Sequence, residues 1–243
     1  NGKKLLLDTG ASNLFAENAE KLNIDLKDID FAVLSHAHYD HANGMEKFFE
    51  INRKATFYLQ EGCGENCYFK KGFIRKYIGI PKGITKKYQD RIEYVSGVYT
   101  VADGIYLVSH STPHLEQIGK KEMMYQKTKL GWKPDNFCHE QSLVLDTDGG
   151  LVIFNSCSHG GVVNIINEVK AAFPNKKITA LIGGFHIFKH PEAEIRELAK
   201  LIKETGIERI YTGHCSKERG YRILREELGD MAGQFYVGME LVF

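Results

Sequence analysis

Short apolar runs open the chain, and each is followed by a change of period. Leu5, Leu6 and Leu7 lie in a run, Lys3–Asp8, that stops at Asp-Thr-Gly and reads as a strand. Leu14, Phe15, Ala19 and Leu22 then recur at helical spacing behind Ser12, which predicts a capped helix over about Asn13–Leu22. Phe31–Leu34 and Ala55–Leu59 read as buried strands, with a short helix over Met45–Phe49 between them. Residues 60–90 lose periodicity and carry Gly62, Gly64, Gly72, Gly79, Pro81 and Gly83. Strand texture returns over Arg91–Val95, Tyr99–Val101 and Ile105–Ser109, then lapses over His110–His139. The two lapses read as inserted irregular segments, about 60–90 and 110–139, and long loops of this kind often act as lids.

The second half is more regular. Ser142–Asp146 and Leu151–Asn155 flank Asp148-Gly149-Gly150, the pattern of a hairpin. A helix near Gly161–Phe173, a strand over Ile178–Ile182, a helix over Pro191–Glu204, a strand over Arg209–Thr212 and a helix near Ser216–Leu228 follow in alternation. Pro191 suits a first helical position, and Gly206 suits a helix end. Gln234–Val237 and Glu240–Phe243 close the chain as expected strands. Strands first, then strand–helix alternation, predict one layered α/β domain over residues 1–243.

Chemistry concentrates just after the second strand. His36, His38, Asp40 and His41 fall within six residues, and all four side chains ligate divalent metals. His36 and His38 share a side if the chain is extended there, whereas the adjacent Asp40 and His41 diverge, as a second metal would require. His159, His186 and His214 each lie close behind the carboxyl end of an expected strand, as His36 does. Loops at that edge of a sheet converge on ligands, so residues far apart in sequence are expected to form one site.

Together with Asp8-Thr9-Gly10, Ser-Cys-Ser-His-Gly-Gly at 156–161, Gly-Gly-Phe-His at 183–186 and Gly-His-Cys at 213–215, the motif resembles the metallo-β-lactamase superfamily. Within it, the order of motifs is similar to the branch named after dihydropterin ribofuranosyl-aminobenzene-phosphate synthase. The resemblance runs from Lys4 to about Gly238. It implies an αββα sandwich with two inserted lid segments, and two divalent metal ions per chain, zinc by default, with iron or manganese also compatible. By motif, His36, His38 and His159 would form the first metal site, and Asp40, His41 and His214 the second. Asp8 would hold the metal loop rather than ligate. Many superfamily members place a bridging Asp on the loop that here carries His186, so His186 is expected either to ligate a metal or to contact substrate. Cys157 and Cys215 flank ligand positions and are expected to be small buried residues. Family members also carry strands ahead of the first one here, so either the sequence is a piece or the first sheet lacks an edge.

Composition adds little until charge is mapped. The chain is 43% hydrophobic and 26% charged with a net charge of +1, which favours neither nucleic acid nor membrane as a partner. No apolar run reaches the length of a membrane span, and the opening Asn1-Gly-Lys-Lys shows no signal-peptide pattern. Five cysteines without a framework spacing favour the cytoplasm, and Cys63-x-x-x-Cys67 is at most half a zinc site. Charge is uneven, however: residues 66–89 and 119–133 hold twelve lysine and arginine side chains against one glutamate, Glu122. Tyr68, Phe69, Phe73, Tyr77, Tyr88, Tyr125 and Trp132 are interleaved with them. This predicts a cationic rim for a small anionic substrate, with Lys70, Lys71, Lys86, Lys87 and His114 as candidate binding residues.

Three functions are consistent with these features. The first is a dinuclear hydrolase that activates a bridging hydroxide against a phosphate-bearing molecule, with Asp40 and His186 as catalytic candidates. The second is the branch's transfer chemistry, joining a dihydropterin diphosphate to a ribofuranosyl-aminobenzene phosphate. The third is a metal-bearing sensor without turnover.

Overall fold

In the computed structural model, which describes residues 2–243, the first apolar run forms β1 (Leu5–Leu7). It stops there because Asp8 turns left-handed, at φ +63°. The chain continues through α1 (Leu14–Lys21), β2 (Phe31–Val33), α2 (Tyr39–Ala42), α3 (Met45–Ile51) and β3 (Thr56–Gln60). Next come β4 (Cys67–Lys71), β5 (Ile74–Tyr77), α4 (Ile84–Lys87), β6 (Ile92–Val95), β7 (Val98–Ala102) and β8 (Ile105–Ser109). After these lie α5 (Glu116–Lys121), β9 (Met124–Thr128), β10 (Gly131–Pro134), β11 (Gln141–Thr147) and β12 (Gly150–Phe154). The last elements are α6 (Val162–Ala172), β13 (Ile178–Gly183), α7 (Glu192–Glu204), β14 (Arg209–Thr212), α8 (Lys217–Leu228) and β15 (Ala232–Gln234). The mixed α/β class read from the alternation is the class adopted. Among the described residues no helix is long and apolar enough to cross a membrane.

The chain divides into two units. The first takes residues up to Ser96 together with Pro113–Gln141. It contains a sheet ordered β1-β2-β3-β6, parallel throughout. Leu34, Met45, Phe48, Phe49, Phe57 and Leu59 are buried together there and supply its core. Their burial explains why the pattern over these elements is legible: β2 and β3 are buried almost throughout and read as short apolar runs, while α3 buries Met45, Phe48 and Phe49 at helical spacing.

The second unit, Gly97–Thr112 with Ser142–Phe243, holds a sheet ordered β15-β14-β13-β12-β11-β8-β7. Its β12 to β15 run parallel, while β11 pairs antiparallel with β12 and β7 with β8. Leu151, Ile153, Leu181 and Ile210 pack in one core with Ile165, Val169, Ile195, Ile202 and Leu224 from the helices. On α7 the buried Ile195, Ala199 and Ile202 recur at helical spacing, Glu192 and Glu194 occupy the first turn, and Gly206 at φ +72° ends the run. Pro191 caps this helix one position before its first residue.

Two expectations need correction. Residues 60–90 and 110–139, expected to be irregular, carry regular structure. They supply β4, β5, α4, α5, β9 and β10, and the four strands form one antiparallel sheet ordered β10-β9-β4-β5 within the first unit. Register places Tyr68, Lys70, Tyr77, Arg75, Tyr125, Lys127 and Trp132 on one face. Lys70 Nζ lies 5.2 Å from the Tyr125 ring centroid and 5.6 Å from that of Trp132, with the Arg75 guanidinium 5.4 Å from Trp132. Cations lie over rings, so the face alternates aromatic with lysine or arginine instead of apolar with polar, and hydropathy periodicity does not register it. The second correction is at the end of the chain. The final strand is Ala232–Gln234, and residues 240–243 form none. Gln234 pairs with Thr212, the last residue of β14, so the ladder ends where its partner ends.

Candidate metal centre

The short stretch Leu34–Ala42 is held from several sides by its own unit. Asp8 Oδ1 accepts the Ser35 amide at 2.7 Å, and Oδ2 accepts both Ser35 Oγ and His41 Nδ1 at 2.7 Å. Ser35 Oγ also lies 2.8 Å from His36 Nδ1. Proton accounting fixes the rest. An ionised carboxylate only accepts, so the one Ser35 hydroxyl proton is committed to Asp8, and His36 Nδ1 must donate to Ser35. His41 Nδ1 donates to Asp8 by the same logic. Both rings are therefore protonated at Nδ1, which in the neutral imidazole leaves Nε2 of each as the lone pair. Asp8 itself sits in a conformation that Asp tolerates better than most residues. Its expected role, holding the loop, is what its three hydrogen bonds do.

Further braces act on the backbone. Gln141 donates its amide to Ser35 O at 2.8 Å and Nε2 to Leu34 O at 2.9 Å. His38 N donates to His36 O at 2.9 Å, so a three-residue turn, rather than extended chain, brings the two rings to 4.6 Å between centroids. At the centre of that turn, Ala37 N donates to His139 Nδ1 at 3.1 Å. His139 Nε2 lies 3.1 Å from Asp135 Oδ2, and Asp135 Oδ1 accepts Gln126 Nε2 and the Phe137 amide. Burial disfavours a charged His139 ring, while Cys67 and Asp135 favour it. The Ala37 amide decides, since an Nδ1 that accepts it carries no proton. The sequence singles out neither His139 nor Asp135; both in fact brace this loop.

His36, His38 and His41 are buried, and the His36 and His41 centroids are 4.2 Å apart. Asp40 keeps about a third of its side chain exposed, at 34%, with Oδ2 3.8 Å from His41 Nε2. Cys67, Asp135 and His139 gather with His38 into a buried group of metal-capable donors. His139 is excluded as a ligand in that group, because Nδ1 accepts an amide and Nε2 supplies the proton to Asp135. Burial pushes the Cys63 thiol up to about 12 and raises that of Cys67.

In the second unit, β12, β13 and β14 are parallel neighbours, and His159, His186 and His214 follow their carboxyl ends. The His159 and His186 ring centroids are 4.5 Å apart. Ser158, His186 and His214 are left-handed at φ +53°, +49° and +49°. Such conformations cost about 1–3 kcal/mol each and gather at functional sites. Cys157, His159 and His186 form one group of mutually close donors, and Cys157, His214 and Cys215 another. Behind His159, the Glu168 carboxylate accepts His110 Nδ1 at 2.9 Å together with the Ser111 and Thr112 amides. That ring presses on Gly160, where an added Cβ would stand 2.2 Å from His110 Cε1.

The expected substrate residues are dispersed. Lys70 lies on the face of its strand opposite Cys67, which is buried near His139; Lys71 is exposed on the Cys67 face. Lys86 is exposed on α4, and Lys87 pairs with Glu46. His114 is a surface residue with Nδ1 3.4 Å from Glu116. Lys76, which sequence reading did not select, stands 5.8 Å from the ring of Tyr39, between His38 and Asp40.

Imidazoles with proton-fixed Nε2 lone pairs and an adjacent carboxylate suit a divalent metal of the zinc type. Residues 1–120 match the sequence profile of the metallo-beta-lactamase superfamily. The chain carries a metallo-β-lactamase superfamily domain. A solved structure described as a metal-dependent hydrolase of the β-lactamase superfamily superposes with a TM-score of 0.83, at 28% identity, over 99% of this chain and 89% of its own. A protein of Methanocaldococcus jannaschii named 7,8-dihydropterin-6-methyl-4-(beta-D-ribofuranosyl)-aminobenzene-5'-phosphate synthase is 28% identical over 99% of this chain and 85% of its own length. An uncharacterized protein of the same organism is 25% identical over 77% of this chain and 69% of its own. The metallo-β-lactamase domain thus has one relative described as a hydrolase and one named as a synthase.

Proposed function

We propose that this metallo-β-lactamase domain is a metal-dependent hydrolase acting on a small anionic molecule, most simply a phosphate ester. The observation that carries the reading is the hydrogen-bonded set around Asp8, which fixes the protons of His36 and His41 and leaves two lone pairs for metal. The working ligand assignment is His36, His38 and His159 for one ion, and Asp40, His41 and His214 for the other, with His186 as a further ligand or a substrate contact. Two divalent ions held there would supply Lewis acidity and a water acidified toward neutral pH. Asp40, buried only in part, would orient a water and take up its proton. Lys76, beside Tyr39, would hold the anionic group, assisted by the exposed Lys71 and Lys86. We assign it to the cytoplasm on the odd number of its cysteines, five, and their lack of a framework spacing.

Metal analysis of freshly purified protein tests the first part, and a panel of phosphoesters, thioesters and lactones the second. Metal well below one ion per chain, with folding unchanged in His38→Ala, would sink the proposal. The synthase relative favours a second reading, transfer with release of diphosphate. Diphosphate release that depends on both a dihydropterin diphosphate and a ribofuranosyl-aminobenzene phosphate would select it. Silence of that pair at every metal loading would remove it.

A further inference from the structure

The histidines of the second unit share their space with sulfur. Cys157 Sγ lies within 4.8 Å of ring nitrogens of both His159 and His186. The same sulfur lies within 4.8 Å of a His214 nitrogen and of Cys215 Sγ. Cys157 therefore belongs to both donor groups of this unit, and it is only 3% exposed. Three donors of the kind zinc prefers, two imidazoles and a thiol, are thus set around one buried point.

We propose that Cys157 is a metal ligand, its thiolate completing a Cys157–His159–His186 donor set. The proposal rests on the metal-centre reading above and adds sulfur to a site so far described with nitrogen and oxygen. Cys215 is the rival. Its sulfur accepts the His186 amide at 3.2 Å and fills the space beside Gly184, where an added Cβ would lie 2.5 Å from it. Cys215 thus shapes the turn that carries His186, whereas Cys157 sits at the point both histidine groups share. When the metal enters, the Cys157 S–H bond breaks, the sulfur–metal bond forms, and the proton passes to solvent. A thiolate among imidazoles selects softer ions, zinc or ferrous iron, and disfavours manganese. This assigns His186 to the metal rather than to substrate.

The test uses full-length protein and two readouts independent of turnover. X-ray absorption on the zinc-loaded wild type should show sulfur scattering at about 2.3 Å beside nitrogen at about 2.0–2.1 Å. The cobalt(II) form should show a near-ultraviolet thiolate-to-metal charge-transfer band. In Cys157→Ser both signals should be lost while Cys67→Ser and Cys215→Ser keep them. Metal bound without any sulfur signal overturns the proposal and leaves the metal-centre reading standing. A signal that survives Cys157→Ser, or that disappears in Cys215→Ser or Cys67→Ser, also overturns it. No metal bound at all removes both. If Cys157→Ser fails to fold, the Cys67→Ser, Cys215→Ser double variant decides: sulfur scattering retained supports Cys157, and scattering lost refutes it.

Discussion

Replacing Asp8 with Asn isolates the chemistry of the ligand loop from its backbone. Asn tolerates the left-handed conformation of residue 8, at φ +63°, as well as Asp does, so the turn should survive. The hydrogen bonds cannot all survive. Asp8 accepts three protons, from Ser35 N, Ser35 Oγ and His41 Nδ1, each at 2.7 Å. An amide presents only one oxygen. With that oxygen toward the Ser35 amide, the new NH2 faces the Ser35 hydroxyl and the His41 ring. His41 must then accept at Nδ1 and move its proton to Nε2, the atom needed for metal. With the amide turned the other way, NH2 meets the Ser35 N–H and the bond is lost. Either way at least one charge-assisted bond goes, worth about 1.5–3 kcal/mol. Removing a partner that orients a ligand costs about 10–100-fold in metal affinity, which is about 1.4–2.8 kcal/mol. Urea unfolding of the metal-free protein measures the lost bond, and competition between the protein and a chromophoric chelator for zinc measures the lost metal affinity. An Asp8→Asn protein that binds zinc as the wild type does would refute the proton accounting, and with it the assignment of His36 and His41 as Nε2 donors.

Gly160→Ala should destabilise by about 1–3 kcal/mol through overpacking against His110, and His110→Ala should recover part of that loss in a double-mutant cycle read by thermal unfolding. Burial pushes the Glu168 carboxyl up, but hydrogen bonds from His110 and Thr112 hold it below its usual value of 4.5. Its stabilisation is present above that value and is lost as pH falls through the lowered one, so the gap between wild type and Glu168→Gln in urea should close in acid. Equal gaps at neutral and acid pH would contradict this. On a phosphoester, Lys76→Gln should lower kcat/KM more than Lys70→Gln, and added salt should shrink the difference; equal effects would detach Lys76 from capture. Gln at Lys70, Lys71, Lys86 and Lys87 together should lower kcat/KM at low salt and leave kcat largely intact, and wild-type kcat/KM at low salt would show these charges to be merely solvated.

The histidine-rich loop was legible because its residues are adjacent and follow an apolar run that ends in a strand. His159, His186 and His214 were legible for a related reason: regular strands set their positions even though they lie far apart in the chain. Asp135 and His139 were not, since the pairing of His139 with the Ala37 amide spans 102 residues and leaves no local trace. Cys157 reads as a small apolar residue, and only its neighbours in space give it another meaning. The four-stranded sheet was hidden by composition. Lysine and arginine stems lying on tyrosine and tryptophan rings supply a packed face without hydropathy contrast, so two halves of one element read as separate loops.

The left-handed residues of the second unit limit what evolution can write there. At φ +49° a β-branched or bulky side chain is strained, and glycine, asparagine, aspartate and histidine are the favoured residues. All but glycine are metal ligands or close to it. Positions 186 and 214 therefore accept mainly residues that either bind a cation or leave a gap. Drift at position 186 would tend to exchange histidine for aspartate or asparagine, changing the charge carried there while the backbone stays as it is. The shape of two turns thus restricts the alphabet before any selection on activity begins.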